Sequence, residues 1–112
     1  MATPLNTFKT VTTELTTSNQ TLYTSPTGIT SIVLMAQAAN VSNNVTSVVF
    51  SHYDVSTTTE TELVKNYEIP PFDASGLLTG KLVIETGDSL KASVSANNSI
   101  KLTLSILESV NA

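Results

Sequence analysis

His52 and Asp54 lie two positions apart in the segment SVVFSHYDV, and their side chains are the ones best suited to reactive chemistry. On a β-strand this spacing places both on one face, where a carboxylate orients an imidazole for catalysis or metal binding. The chain has one histidine and no cysteine, so the usual zinc ligand sets cannot be completed. No serine is singled out as a nucleophile. We therefore predict an ordinary surface or interface histidine, and no catalytic, cofactor-binding or metal-binding residue.

Two carboxylate pairs raise the question of a calcium site or a glycosidase. Glu60 and Glu62 share a strand face, and Glu85 and Asp88 flank Gly87. A calcium loop places several oxygen ligands at fixed spacing, and a glycosidase needs a cleft for the sugar between its carboxyl groups. The sequence has no such loop, and its glycines are too isolated to form a phosphate-binding loop. We predict solvated carboxylates, no cofactor and no enzymatic activity.

The few aromatic residues permit two interpretations. Phe50 lies in the middle of an apolar segment and is predicted to be in the core. Tyr53, Tyr67 and Phe72 lie in or beside a strand end and a proline loop. Exposed rings there would anchor a partner protein or stack on a sugar, whereas covered rings would fill the core.

Composition excludes several classes of partner. Five basic residues against nine acidic ones give a net charge of −4, which does not favour binding to phosphate backbones. No apolar run approaches the roughly 20 residues of a membrane-spanning helix, and no basic amphipathic helix is visible. The N-terminal segment MATPLNTFKTVTTELTT lacks the features of a secretory signal, so we expect synthesis in a cytoplasm. Without disulfides, a small domain depends on its core or on association, so we expect a homo-oligomer, a trimer or a lattice-bound subunit.

Strands are the elements that must position these residues. The segment 80–108 alternates apolar and small polar side chains, which is the period of a strand with one buried face. Turn signals at 86–88 and at Asn97-Asn98 divide it into three strands joined as hairpins. The predicted inward residues are Leu82, Ile84, Leu90, Ala92, Val94, Ala96, Ile100, Leu102, Leu104 and Ile106.

The apolar segment 29–41 is open to two interpretations, a strand covered on both faces or a buried helix. Its leading β-branched residues and close turn signals favour the strand. Pro70-Pro71 ends a later strand, and the following loop, 72–76, has room for one helical turn at Asp73. The other predicted strands are 9–15, 20–24, 45–55 and 62–69.

The total is about eight short antiparallel strands, with turn signals at intervals of about ten residues. We predict an all-β chain with a single β-sandwich or jelly-roll-like domain at residues 9–112. Residues 1–8 show no sustained alternation and are predicted to be an extended N-terminal arm, loose or ordered by a neighbouring subunit.

Two stretches also resemble a known group of proteins. They are QTLYTSPTGITSIVLMAQAANV, residues 20–41, and LLTGKLVIETGDSLKASVSANNSIKLTLSILE, residues 77–108. Both are similar to segments of small virion structural proteins of tailed bacteriophages, in particular the contractile-tailed phages of marine cyanobacteria.

This resemblance implies a non-enzymatic structural protein of the virion, made in the host cytoplasm. We expect a capsid decoration or cement protein that binds assembled phage coat protein or other virion proteins during viral assembly. The alternatives are a tail, neck or baseplate component, or a carbohydrate-binding module for host attachment.

Overall fold

A computed structural model of the protein describes residues 6–110, which form strands and connecting turns without a helix. The strands are β1 (Asn6–Glu14), β2 (Gln20–Thr24), β3 (Ile29–Asn40), β4 (Thr46–Asp54), β5 (Thr59–Ile69), β6 (Ala74–Gly76), β7 (Leu82–Ile84), β8 (Ser89–Val94) and β9 (Ile100–Val110). Within this range no helix is available to cross a membrane.

The strands form two antiparallel sheets. Sheet A has the order β1-β9-β3, with β6 and β7 both paired to the far edge of β3, and sheet B has the order β2-β8-β4-β5. Since β6 pairs with one end of β3 and β7 with the other, these two short strands occupy the place of one edge strand. The result is an all-β sandwich with the strand order of a jelly roll, which confirms the predicted fold class.

Alternating side chains from both sheets form the core. The even-numbered residues of β8, and those from 100 to 106 in β9, face inward, as the alternation predicted, together with Val33 of β3 and Phe50 of β4. Ala96, which was also predicted to face inward, is exposed, because it lies in the turn after β8. Each fully buried Leu, Ile, Val or Phe contributes about 1.5–3 kcal/mol through removal of apolar surface from water. The largest side chains with almost no exposure are Phe50, Leu15, Ile69, Ile84, Leu90, Ile100, Leu102, Leu104 and Ile106.

The predicted three-stranded meander at the C-terminal end is wrong. β7 pairs with β3 in sheet A, β8 pairs with β2 and β4 in sheet B, and β9 returns to sheet A between β1 and β3. The turns around Gly87 and Asn98 do adopt positive φ, at 85° and 62°, but they carry the chain from one sheet to the other. Alternation identifies the buried face of a strand and leaves its partner strand undetermined.

Other local predictions have mixed outcomes. β3 is a strand, as preferred, but its outer face includes the exposed Gln37, so it is not covered on both sides. The helical turn suggested at Asp73 is absent, because the backbone there joins the edge of β3 and continues into β6. β1 begins at Asn6, three residues earlier than predicted, because pairing with β9 continues as far as Ser109. Residues 6–8 of the predicted arm thus belong to β1, and residues 1–5 lie outside the described residues.

Candidate functional site

His52 pairs with Asp88 and not with Asp54. Its Nε2 lies 3.2 Å from Oδ2 of the buried Asp88, whose Oδ1 accepts a hydrogen bond of 3.1 Å from the backbone N–H of Val55. Asp54 instead accepts hydrogen bonds from the hydroxyl and the backbone N–H of Ser56, and these hold the pKa of Asp54 below its usual value. The His52–Asp88 contact joins β4 to the turn before β8.

The two predicted carboxylate pairs do not form a shared site. Glu60 is exposed and accepts hydrogen bonds from the Asn19 amide, at 3.2 and 3.3 Å, while Glu62 lies 3.9 Å from Lys65. Of the second pair, Glu85 is exposed and Asp88 is buried. In residues 6–110 no group of three or more metal-ligating side chains comes together.

The three candidate aromatic anchors are spread over the molecule. Tyr53 is half-buried on β4, where the Lys91 ammonium lies 4.7 Å from its ring centroid. Tyr67 is exposed near the other end of β5 and shares a 2.8 Å hydrogen bond with Ser75. Phe72 lies in the proline loop and is 73% exposed. Because Tyr53 and Tyr67 lie at opposite ends of the β4–β5 pair, the rings do not make a single stacking platform.

A buried polar cluster at one end of the sandwich was missed by sequence reasoning. The Tyr23 hydroxyl donates a 2.5 Å hydrogen bond to Oε2 of Glu108 and lies 2.7 Å from the Ser31 hydroxyl, which in turn lies 2.9 Å from that of Ser25. The Lys9 ammonium lies 3.4 Å from the same Glu108 oxygen. Desolvation by burial, reinforced by the hydrogen bond to Glu108, raises the pKa of Tyr23 to about 12.

A signal for this cluster was present in the sequence. Glu108 continues the even-numbered series that places Ile100 to Ile106 in the core, so strand periodicity assigns its carboxylate to the inner face. A carboxylate on a buried face requires donors, and these come from β2 and β1.

An apolar row crosses the outer face of sheet A. Its members lie opposite one another in the register of four adjacent strands, β1, β9, β3 and β7. The row consists of Phe8, Leu107, Ile32 and Val83. Phe8 is 75% exposed and Val83 is 56% exposed, whereas the two central residues are half-buried.

The residues next to the apolar row are uncharged on β1, β9 and β3, whereas Lys81 and Glu85 flank Val83 at the β7 edge. The row on one side contains Thr10, Ser105 and Met35, and the row on the other contains Asn6, Ser109 and Thr30. Charge on this face of β1 and β9 begins only at their far ends. An apolar centre with a polar rim is typical of the contact surface of a protein interface.

A groove of about 330 Å³ opens beside the apolar row, at the interruption between β6 and β7. Met35 lies on its β3 wall, and the 77–81 connection forms the opposite wall. The groove therefore extends the apolar surface toward the edge of sheet A.

No family model matches the chain, and no curated protein matches it. Among solved structures, it is similar to a chain of the disulfide-linked pili formed by Bacillus endospore appendages, with a TM-score of 0.57 and 9% sequence identity. The match covers 96% of this chain and 88% of that one. At this identity the similarity concerns the fold alone, and this chain has no cysteine from which a disulfide could form.

Proposed function

We propose that this protein is a non-enzymatic structural subunit of a tailed-bacteriophage virion, and specifically a capsid decoration protein that binds assembled coat protein. The observation that carries the proposal is the apolar row of Phe8, Leu107, Ile32 and Val83, which crosses four strands on the outer face of sheet A. Covering apolar surface of this kind with a protein partner lowers the free energy, because the surface is removed from water. The resemblance of residues 20–41 and 77–108 to phage virion proteins supplies the class of partner.

A tail, neck or baseplate location is the alternative within the same class. Copy number separates the two, because a decoration protein accompanies the coat protein across the whole shell. Quantitative mass spectrometry of purified virions is expected to find this chain at a copy number close to that of the coat protein. Only a few dozen copies or fewer would assign it to the tail, and its absence would contradict both locations.

Val83 offers a direct test of the binding face. We expect Val83→Asp to weaken binding to coat-protein shells by about tenfold or more, because a carboxylate in the contact must lose its hydration without gaining a partner. Co-sedimentation of the purified protein with shells that lack it measures the effect. Val45→Asp is a matched control, since Val45 is 55% exposed but lies in the β3–β4 connection.

Shell binding by the two variants and the unmodified protein distinguishes three cases. Binding lost by Val83→Asp and retained by Val45→Asp supports the apolar row as the coat-binding face. Equal binding of both variants and the unmodified protein would refute that face. Failure of the unmodified protein to sediment with any shell would refute the decoration role itself.

A further inference from the structure

The two long edge strands of the sandwich differ in how they present their free edges. β5 departs from regular pairing with β4 at two places, and Asn66 within it adopts a φ of 52°. It also carries the exposed side chains of Glu60, Glu62 and Glu68. Bulges and charges are the usual means by which an edge strand avoids pairing with another chain, so β5 is a protected edge.

β1 is less protected than β5, because it has no bulge and fewer charged residues. Its nine residues pair with β9 in unbroken register, and the strand contains no proline and only two charged residues, Lys9 and Glu14. Thr and Val dominate the rest, and these β-branched residues favour the extended conformation. An edge of this length and regularity is a ready template for another strand.

The hydrogen-bonding direction of β1 follows from the residue after it. The Leu15 N–H donates to the Ile100 carbonyl at 2.9 Å, so by strand alternation the odd-numbered residues of β1 direct their backbone groups toward β9. The even-numbered residues direct theirs toward the open edge, where no other described strand pairs with β1. These residues are Asn6, Phe8, Thr10, Thr12 and Glu14.

We propose that β1 pairs with β1 of a second copy of this chain, antiparallel, about a two-fold axis through Thr10. This register uses the entire strand, placing Asn6 opposite Glu14 and Phe8 opposite Thr12. Lys9 then lies opposite Val11, so no like charges meet, whereas an axis through position 9 would place two ammonium groups face to face. About ten backbone hydrogen bonds form between the copies, because each even-numbered residue exchanges a pair with its partner.

Both copies use the same surface, so the assembly is a closed dimer and does not grow further. The contact joins the two A sheets into one continuous sheet. It goes beyond the proposed function, since it concerns self-association whether or not the assembly is a virion. It also leaves the Val83 end of the apolar row free, because β7 lies at the opposite edge of sheet A.

The first test removes one donor from the free edge. Thr10→Pro eliminates an N–H that faces the open edge. All donors of the β1–β9 ladder remain in place. We expect the dimer dissociation constant to rise by at least about tenfold, because two donors are lost per dimer, one from each copy. Sedimentation equilibrium of the full chain measures this, and Thr10→Val is the control that keeps the N–H and should remain dimeric.

The second test examines the register and does not depend on how well the proline variant folds. Thr10→Lys and Thr10→Glu should each be mainly monomeric, because each places like charges opposite one another on the axis. Mixing the two variants should restore dimers, detected by sedimentation. A monomeric unmodified protein, an unchanged Thr10→Pro dimer, or a mixture that stays monomeric would overturn the proposal.

Discussion

At the residue scale, Glu108 supplies the carboxylate of the buried polar cluster. It is 8% exposed, on the inner face of a central strand. A carboxylate removed from water needs charged or hydrogen-bonding partners, and the Tyr23 hydroxyl and the Lys9 ammonium are its partners here. Three strands, β1, β2 and β9, are thus linked through one side chain.

Tyr23→Phe tests that link. Removing the hydroxyl takes a donor from a buried carboxylate, and we expect the free energy of unfolding to fall by about 1–3 kcal/mol. Urea denaturation monitored by circular dichroism provides the measurement. Tyr67→Phe is the control, because its hydroxyl bonds to Ser75 at an exposed position, and it should change stability by less than about 0.5 kcal/mol. Similar losses in both variants would contradict the role assigned to Tyr23.

The pH dependence of stability provides an independent check. The pKa of Tyr23 is raised from 10.0 to about 12 in the folded protein, so above pH 10 the unfolded chain releases a proton that the folded chain retains. The stability contributed by this proton is fully present below pH 10 and declines as the pH rises toward 12. Urea midpoints measured from about pH 9 to about pH 11.5 should therefore fall more steeply for the unmodified protein than for Tyr23→Phe. Parallel pH profiles of the two proteins would rule out the raised pKa of Tyr23.

At the scale of elements, the turn that contains Gly87 carries the chain between the two sheets. Its φ of 85° lies in the left-handed region, and a Cβ added there would be 3.1 Å from Cγ1 of Val55. The Gly87 N–H donates to the Ser25 carbonyl, and the next residue is the buried Asp88 that holds His52. The turn therefore holds the β2–β3 connection and the end of β4 in place.

Comparison of Gly87→Ala with Gly28→Ala separates the energetic cost of the backbone conformation from the cost of steric crowding. Both residues have positive φ, but a Cβ at Gly28 meets nothing within 4 Å. We expect Gly28→Ala to cost about 1–2 kcal/mol from backbone conformation, and Gly87→Ala to cost more because Val55 must also move. Thermal unfolding measures both, and adding Val55→Ala to Gly87→Ala should recover the difference. Equal costs for the two single variants would show that Val55 yields freely.

The strand positions and buried faces could be predicted well from sequence because they depend on local periodicity. β2 has the predicted bounds, and the inward residues of β8 and β9 follow the alternation. Which strands pair could not be predicted, since a turn with positive φ serves equally for a hairpin and for a crossover between sheets. The His52–Asp88 contact was missed for this reason, because it depends on β4 and β8 being neighbours.

At the scale of the whole molecule, the first and last strands are partners and β9 lies between β1 and β3. The apolar row depends on this long-range pairing, since Phe8 and Leu107 become neighbours only when β1 pairs with β9. No local pattern predicts such a row, because its four members come from four strands that are far apart in the sequence.

The divided edge of sheet A has a consequence for engineering. β6 and β7 are each anchored to β3 by their own pairing, and the connection between them leaves the sheet through Gly80, around which a Cβ would meet nothing within 4 Å. Lengthening a loop whose ends are already held adds only about 0.6 kcal/mol of closure entropy for each doubling of its length. A foreign peptide inserted after Thr79 would thus extend from a fixed base and leave both edge pairings in place, although it would lie beside the apolar row.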